Sequence, residues 1–305
     1  MEVIHNLEFQ WNQTAVCIGK FDGIHRGHRL LLQEAKKEGL TTVMFTFSAG
    51  EGSVLYAPHE KRKLAEKLGI DRLVEVPLDD TFCRQTPEEF ARNVLQKKCG
   101  AVKVVVGSDF RFGKNRTGNA AMLTELGHQY GFQVIVLDKL EWDGGIVSST
   151  RIRTLIGKGE MQEANRLLAT PYFISGTVQP GNQLGRKMQT PTANLVPDTH
   201  KVLPPYGVYA VLAEGEGKIY EGVSNLGVKP TIPGENPVGL EVWLFDYEGN
   251  LYEKELTVWL LAYLRSERKF DSLTALQTQI QKDTARAREI LARSDIESLR
   301  QSFLR

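Results

Sequence analysis

Ala15-Val16-Cys17-Ile18-Gly19-Lys20-Phe21-Asp22-Gly23-Ile24-His25-Arg26-Gly27-His28 passes from four apolar residues, through a turn of glycines and charges, into the helical pattern His28–Lys37. A short apolar run without polar alternation is what a strand covered on both faces requires. The same unit recurs along the chain. Thr41–Phe47, Leu73–Val76, Val102–Val106 and Val134–Leu137 are β-rich, and His59–Leu68, Pro87–Lys98 and Ala120–Tyr130 carry helical spacing between them. Strand–helix alternation of this kind predicts a Rossmann-like parallel sheet with right-handed crossovers. Gly39, Gly69, Gly100 and Gly131 each follow a helical stretch, where a left-handed residue commonly ends a helix.

Near Pro171 the texture changes. From Tyr172 to Leu264 the pattern is β-like, with turn signals at Pro180-Gly181, Pro205-Tyr206-Gly207 and Glu248-Gly249-Asn250, and with Val208–Ala213, Leu240–Phe245 and Glu255–Leu260 reading as strands. This predicts a small antiparallel β-barrel. A helix closes the chain, with Leu273, Leu276, Ile280, Ala287 and Leu291 near one face as a cover for the barrel. The fold class expected is α/β followed by a small β domain. The chain's 305 residues suit two domains at about 150 residues each, with the join expected between residues 1–170 and 171–305.

Composition narrows the function classes. With 41% hydrophobic and 25% charged residues the chain can build ordinary cores. Up to Thr170 there are 23 basic and 21 acidic residues, and after it 15 and 16. Neither half is a basic module of the kind that neutralises a nucleic-acid backbone, so no nucleic-acid partner is expected and any polyanion is met locally. Cys17, Cys83 and Cys99 form no CxxC and no disulfide framework, which fits a reducing compartment. The start has no basic stretch followed by an apolar one, and no run approaches the ~18 apolar residues of a membrane span. A cytoplasmic protein without a membrane partner is expected, and no signal specifies an oligomeric state.

Three segments at strand ends carry chemistry. In a parallel sheet, ligands bind beyond the carboxyl ends of the strands. Gly19–His28 sits there, with Gly19, Phe21, Asp22, Gly23 and Gly27 shaping the turn and His25 and His28 at a helix start. A helix N-terminus favours phosphate, imidazoles can donate to its oxygens, and Gly27 lets a ligand approach the backbone. A metal pair or a plain turn is the competing reading. Ser148-Ser149-Thr150-Arg151-Ile152-Arg153 opens another helix, and its hydroxyls and guanidiniums suit a polyphosphate, or else a capped helix with solvated arginines. Gly107-Ser108-Asp109-Phe110-Arg111-Phe112-Gly113 offers aromatics that could orient a planar ring, or fill a core.

These segments, in this order and spacing, resemble the adenylyltransferase half of the prokaryotic bifunctional riboflavin kinase/FAD synthetase family. The HxGH and Ser-Ser-Thr-x-x-Arg signatures are shared with nucleotidylyltransferases generally, and Gly107–Gly113 narrows the likeness to the flavin branch. The second half resembles the family's riboflavin kinase. Its glycine-rich flap lies at Gly176–Arg186 with Gly181, Gly185 and Arg186. Thr190-Pro191-Thr192-Ala193-Asn194, Asn225–Thr231, the strand-like Leu240-Glu241-Val242-Trp243-Leu244 and Leu264–Phe270 follow.

The resemblance implies two reactions: riboflavin and ATP to FMN, then FMN and ATP to FAD and pyrophosphate. In the first, Glu241 is implied as general base, with Mg²⁺ at Thr192 and Asn194 and the flap over ATP. In the second, His25, His28 and Arg151 act at the phosphates. Ser149, Thr150 and Arg153 hold pyrophosphate, and Asp109, Phe110 and Phe112 position the flavin. The chain departs from the family pattern at Gln189-Thr190, where a Gly-aromatic pair is usual. It departs again at Ser48–Gly52, where a Pro-His-Pro-like loop is usual. A single active module, or a flavin-binding regulator without turnover, is the alternative to two live sites.

Overall fold

The computed structural model describes residues 1–48, 52–180, 192–228 and 238–293, with Asp80 and Thr81 as backbone only. Gly181, Gly185, Arg186, the Gln189-Thr190 departure, Lys229–Thr231 and most of the Ser48–Gly52 loop lie outside the described residues. The chain divides into two compact units, Met1–Arg151 and Ile152–Arg305.

In the first unit the elements follow in order. They are β1 (Glu2–Ile4), β2 (Thr14–Ile18), α1 (Arg26–Lys36), β3 (Thr41–Phe47), α2 (Pro58–Lys67), β4 (Arg72–Val76), a short α3 (Asp80–Cys83) and α4 (Pro87–Glu89). The last continues as a π-helical stretch, Phe90–Lys98, then come β5 (Ala101–Gly107), β6 (Arg111–Phe112), β7 (Gly118–Asn119), α5 (Ala120–Tyr130) and β8 (Gln133–Leu137). A hairpin of β9 (Glu141–Trp142) and β10 (Gly145–Ile146) leads to α6 (Ser149–Lys158), inside which the boundary between units falls.

Six of these strands form one sheet in the order β1-β4-β3-β2-β5-β8, and every pairing in it is parallel. The alternation predicted this sheet. It did not predict β1, whose three residues are too few for a pattern. From β2 the chain steps outward through β3 to β4, then returns to the other side at β5. The order therefore reverses between β2 and β5, and the crevice at a parallel sheet's switch point opens there. Val16, Ile18, Val43, Phe45, Val74, Val104 and Val106 face Phe90, Val94, Leu95 and Leu123 in one core layer. Ala15, Cys17, Met44 and Val105, on the opposite pleat, are equally buried. Coverage on both faces fails at one edge: in β8, Gln133 and Val136 are exposed.

The four helix-ending glycines all adopt the left-handed conformation. Gly100, at φ +57°, has a second constraint: a Cβ there would lie 2.0 Å from the Trp11 carbonyl oxygen. Trp11 N–H donates to the Lys98 carbonyl at 2.8 Å, so that strand entry cannot move freely. Gly100→Ala therefore adds left-handed strain to a backbone collision. It is expected to cost more than about 2 kcal/mol in denaturant unfolding.

The second unit continues with α7 (Met161–Leu167), β11 (Phe173–Thr177), β12 (Thr192–Leu195), β13 (Gly207–Gly215), β14 (Lys218–Val228), β15 (Val238–Leu244), β16 (Glu255–Arg265) and α8 (Leu273–Arg293). The antiparallel sheet runs β11-β16-β13-β14-β15-β12. It curls until its two edges meet: Gln179, just past β11, bridges Asn194 of β12 and donates to its carbonyl at 2.8 Å. This is the small barrel the sequence predicts.

α8 covers β13, β14 and β16, but the stripe differs from the expected one. Leu273 is 69% exposed, because the buried residues lie in the helix's second half: Asp283, Ala287 and Leu291. Asp283 is tolerated in that stripe because Arg265 of β16 binds it bidentately, Nε at 3.0–3.1 Å and Nη2 at 2.8 Å. Gln279 donates a further bond at 2.7 Å.

Candidate functional sites

At the switch point of the first unit the turn after β2 is sharply folded. Phe21, Gly23 and Ile24 all have positive φ, and Phe21 and Ile24 are fully buried. Non-glycine residues held there cost of order 1–3 kcal/mol each, a strain that recurs at functional sites. The turn is pinned on three sides. Gly19 N–H donates to the Phe45 carbonyl at 3.1 Å. The Lys20 carbonyl accepts from Thr46 Oγ1 at 3.0 Å, and Asp22 Oδ1 accepts from Leu55 N–H at 2.8 Å.

The turn delivers His25 to the N-cap of α1, where its Nδ1 accepts the His28 N–H at 3.3 Å. The two imidazoles stack, with centroids 3.6 Å apart and 15° between planes, and Phe21 lies 5.1 Å from His28. Gly27 has a reason beyond ligand access: a Cβ there would stand 3.2 Å from the His25 ring. Burial lowers the His25 pKa to about 4, opposed in part by a backbone hydrogen bond and the Asp109 carboxylate. His28 falls well below the usual value through burial and its neighbour's charge. Both rings are therefore neutral near pH 7. Because Nδ1 of His25 accepts, its proton is on Nε2, and that N–H remains as a donor. Among the described residues His28 Nδ1 is buried without a hydrogen-bond partner.

The Ser-Ser-Thr segment meets this turn directly. Ser149 Oγ donates to the Asp22 carbonyl at 2.8 Å, joining segments 127 residues apart. Ser148 Oγ accepts from Arg151 N–H at 3.3 Å and caps α6. Along α6, Ser149 and Arg153 share a face at i,i+4 spacing, whereas Arg151 turns to the β9–β10 hairpin. Its Nη1 donates to the Trp142 and Gly145 carbonyls at 2.8 and 2.9 Å. Thr150 is exposed.

In the third segment Phe112 is 7% exposed and continues an aromatic chain through Phe90, Phe45 and Phe82, so it belongs to the core. Phe110 stacks on it at 5.4 Å and is half-buried. Asp109 is exposed and paired with Lys139 at 2.8 Å, a cation that lies in none of the three motif segments.

In the barrel the strands, rather than the spacing along the chain, assemble the second constellation. Glu241 of β15 stands opposite Asn194 of β12 on one side and Asn225 of β14 on the other. Directly opposed residues project on the same face. The three therefore form a row on the face away from Leu240 and Val242, which are fully buried. Asn194 is buried and Glu241 half-buried. Thr192, two residues before Asn194, shares that face; it also edges an open pocket lined by Ala193, Val242 and Leu244 of the opposite face together with Val178, Tyr247 and Tyr252.

Glu267 belongs to the Leu264–Phe270 segment, but its pairing with Asn225 and the orientation of that amide were not legible in the sequence. Asn225 Nδ2 donates to Glu267 Oε1 at 2.9 Å. A carboxylate only accepts, so this bond fixes the amide and leaves Asn225 Oδ1 buried with no donor among the described residues. A Cβ on Gly227 would fall 2.1 Å from Glu267 Oε1, so glycine makes room for that carboxylate.

Comparison with known proteins agrees with both halves. A family model described as FAD synthetase matches residues 8–151, and one described as riboflavin kinase matches residues 168–291. The bifunctional riboflavin kinase/FMN adenylyltransferase of Pseudomonas fluorescens is 34% identical over 303 residues, covering 95% of this chain and 97% of its own. That of Escherichia coli (strain K12) is 37% identical over 301 residues, covering 94% and 96%. Among solved structures, one from Streptococcus pneumoniae described as a macrolide-efflux protein superposes with a TM-score of 0.81 at 29% identity, over 94% of this chain and 98% of that one. Among the described residues, no helix is long and apolar enough to cross a membrane.

Proposed function

The chain belongs to the bifunctional riboflavin kinase/FMN adenylyltransferase family, and from that membership we propose how its residues divide the work. The enzyme phosphorylates riboflavin with ATP to give FMN, and transfers the adenylyl group of a second ATP to FMN, releasing pyrophosphate. We assign FMN adenylylation to residues 1–170 and riboflavin phosphorylation to residues 171–305. The observation that supports this assignment is that the His25–His28 turn sits at the parallel sheet of the first compact unit and the Asn194–Glu241–Asn225 row on the antiparallel sheet of the second.

In the kinase, the Glu241 carboxylate takes the proton from the ribityl 5′-hydroxyl as that oxygen attacks the γ-phosphorus, and ADP leaves. Asn194 and Asn225 flank Glu241 and hold the polar row around it. The donor set suits Mg²⁺: Thr192 and Asn194 offer hard neutral oxygens on one face, leaving positions for waters and substrate phosphates. These two residues would hold the ion, which when bound neutralises charge on the transferring phosphates. The glycine-rich flap with Gly181, Gly185 and Arg186 is assigned to ATP on the family likeness alone.

In the adenylyltransferase the FMN phosphate is already ionised and needs no general base. Its oxygen attacks the α-phosphorus of ATP, and the P–O bond to the β-phosphate breaks. The protein's task is positioning and charge stabilisation. His25 donates from Nε2 to a phosphate oxygen, and His28 stands behind it. Ser149, Thr150, Arg151 and Arg153 take the leaving pyrophosphate. Phe110 offers its exposed face to the flavin while Phe112 supports it from the core, and Asp109 borders the same crevice. Gly19, Phe21, Asp22, Gly23 and Gly27 shape the turn that places the histidines. We place the enzyme in the cytoplasm, where free Cys17, Cys83 and Cys99 stay reduced.

Thr192→Ala tests the metal and domain assignments together. It is expected to raise the Mg²⁺ concentration for half-maximal FMN formation about ten-fold while leaving that for FAD formation from supplied FMN unchanged. An equal shift in both reactions would remove Thr192 from the kinase site.

A further inference from the structure

The β9–β10 hairpin has no role in the assignments above, yet it touches two cations at the adenylyl site. Its sequence is Glu141-Trp142-Asp143-Gly144-Gly145-Ile146, with Trp142 opposite Gly145. Asp143 and Gly144, at φ +54° and +71°, form the two-residue turn of positive φ that joins strands without splaying them. The hairpin is thus a rigid presenter rather than a loose loop. Trp142 is nevertheless 39% exposed.

Arg26 lies on that ring, its guanidinium carbon 4.5 Å from the centroid. Arg26 is the first residue of α1, directly after His25. It is half-buried, and among the described residues its guanidinium makes neither an ion pair nor a hydrogen bond, which leaves its five N–H donors to a ligand. The Trp142 carbonyl meanwhile accepts from Arg151 Nη1. Arg151 also lies against Gly145, where a Cβ would stand 3.1 Å from Nη1. One residue therefore touches two guanidiniums, one through its ring and one through its backbone. They flank the His25–His28 pair at the starts of α1 and α6.

We propose that Trp142 is a positioning residue for ATP in the adenylyl reaction, holding Arg26 flat and ready to bind the triphosphate while its carbonyl fixes Arg151. This rests on the reading that FAD forms at the His25–His28 site. A stacked guanidinium loses less freedom on binding an anion, so its benefit falls on ATP affinity rather than on the chemical step.

The test is steady-state FAD formation from FMN with ATP varied, with FMN formation by the same chain as the control for folding. Trp142→Ala removes the ring and keeps the carbonyl. It is expected to raise KM for ATP about five-fold with kcat nearly unchanged. Trp142→Phe is expected to recover most of the loss. In an Arg26→Ala background, Trp142→Ala is expected to add nothing, because the ring acts through Arg26. An unchanged KM, additive effects in the double variant, or loss of FMN formation as well would each overturn the proposal. Failure of the unmodified enzyme to form FAD would instead overturn the reading of the site.

Discussion

Glu241→Gln is expected to lower FMN formation by about 10²–10⁴ while FAD formation from supplied FMN continues at its normal rate. The substitution preserves volume and leaves the carboxamide among neighbours it can bond, Asn194 and Asn225 across the ladder. Fold and substrate binding should persist, and what disappears is the base. Riboflavin KM should move little while kcat collapses. If Glu241 merely orients the hydroxyl, the amide would serve nearly as well, and the loss would be less than about ten-fold. Because one chain carries both reactions, the second is an internal measure of folding.

The second large effect belongs to His25, which has two functions that can be separated. Its Nδ1 caps α1, and its Nε2–H is the donor offered to phosphate. His25→Ala removes both, so it costs about 1 kcal/mol of helix capping besides catalysis. His25→Asn keeps an acceptor for the His28 N–H and loses the distal donor. It is expected to fold normally and to lower FAD formation by about 10²–10³, with FMN formation unchanged.

The pKa directions add a pH signature. His25 has its folded pKa lowered to about 4, so between the ordinary imidazole value of about 6.5 and 4 the unfolded chain binds a proton that the folded chain does not. Its contribution is complete above that range and lost as pH falls through it, by on the order of 3 kcal/mol. His28 acts in the same direction. Denaturant unfolding at pH 7 and pH 5 should show His25→Asn losing less stability on acidification than the unmodified chain. FAD formation should show no imidazole titration between about pH 6 and 8, because both rings stay neutral across it.

The parallel sheet was legible because its central strands are covered on both faces, which writes them as plain apolar runs, and because helix-ending glycines mark each return. The site at the β2 turn was legible for a related reason: strand, glycine-rich turn, histidines and helix are contiguous in sequence. What stayed hidden depends on register. Nothing in the spacing of Asn194, Asn225 and Glu241 says that β12 and β14 flank β15, and Glu267 enters only through its bond to Asn225. The β9–β10 hairpin escaped because two-residue strands have no periodicity, although its Asp143-Gly144 turn is a local hairpin signal. Asp283 escaped because a carboxylate in an apolar stripe reads as an interruption until Arg265 is seen beside it. Leu273 fitted the helical spacing and still faces solvent, since periodicity gives a direction but not how far the covered sheet extends.

One chain runs two reactions on two sheets. The decisive experiment gives a single preparation riboflavin, ATP and Mg²⁺ in one arm and FMN, ATP and Mg²⁺ in the other, and separates the flavins by chromatography. FMN, and then FAD, are expected in the first arm and FAD with equimolar pyrophosphate in the second. Product in only one arm, or flavin bound tightly in both with no ATP consumed, would rule out two live sites on one chain.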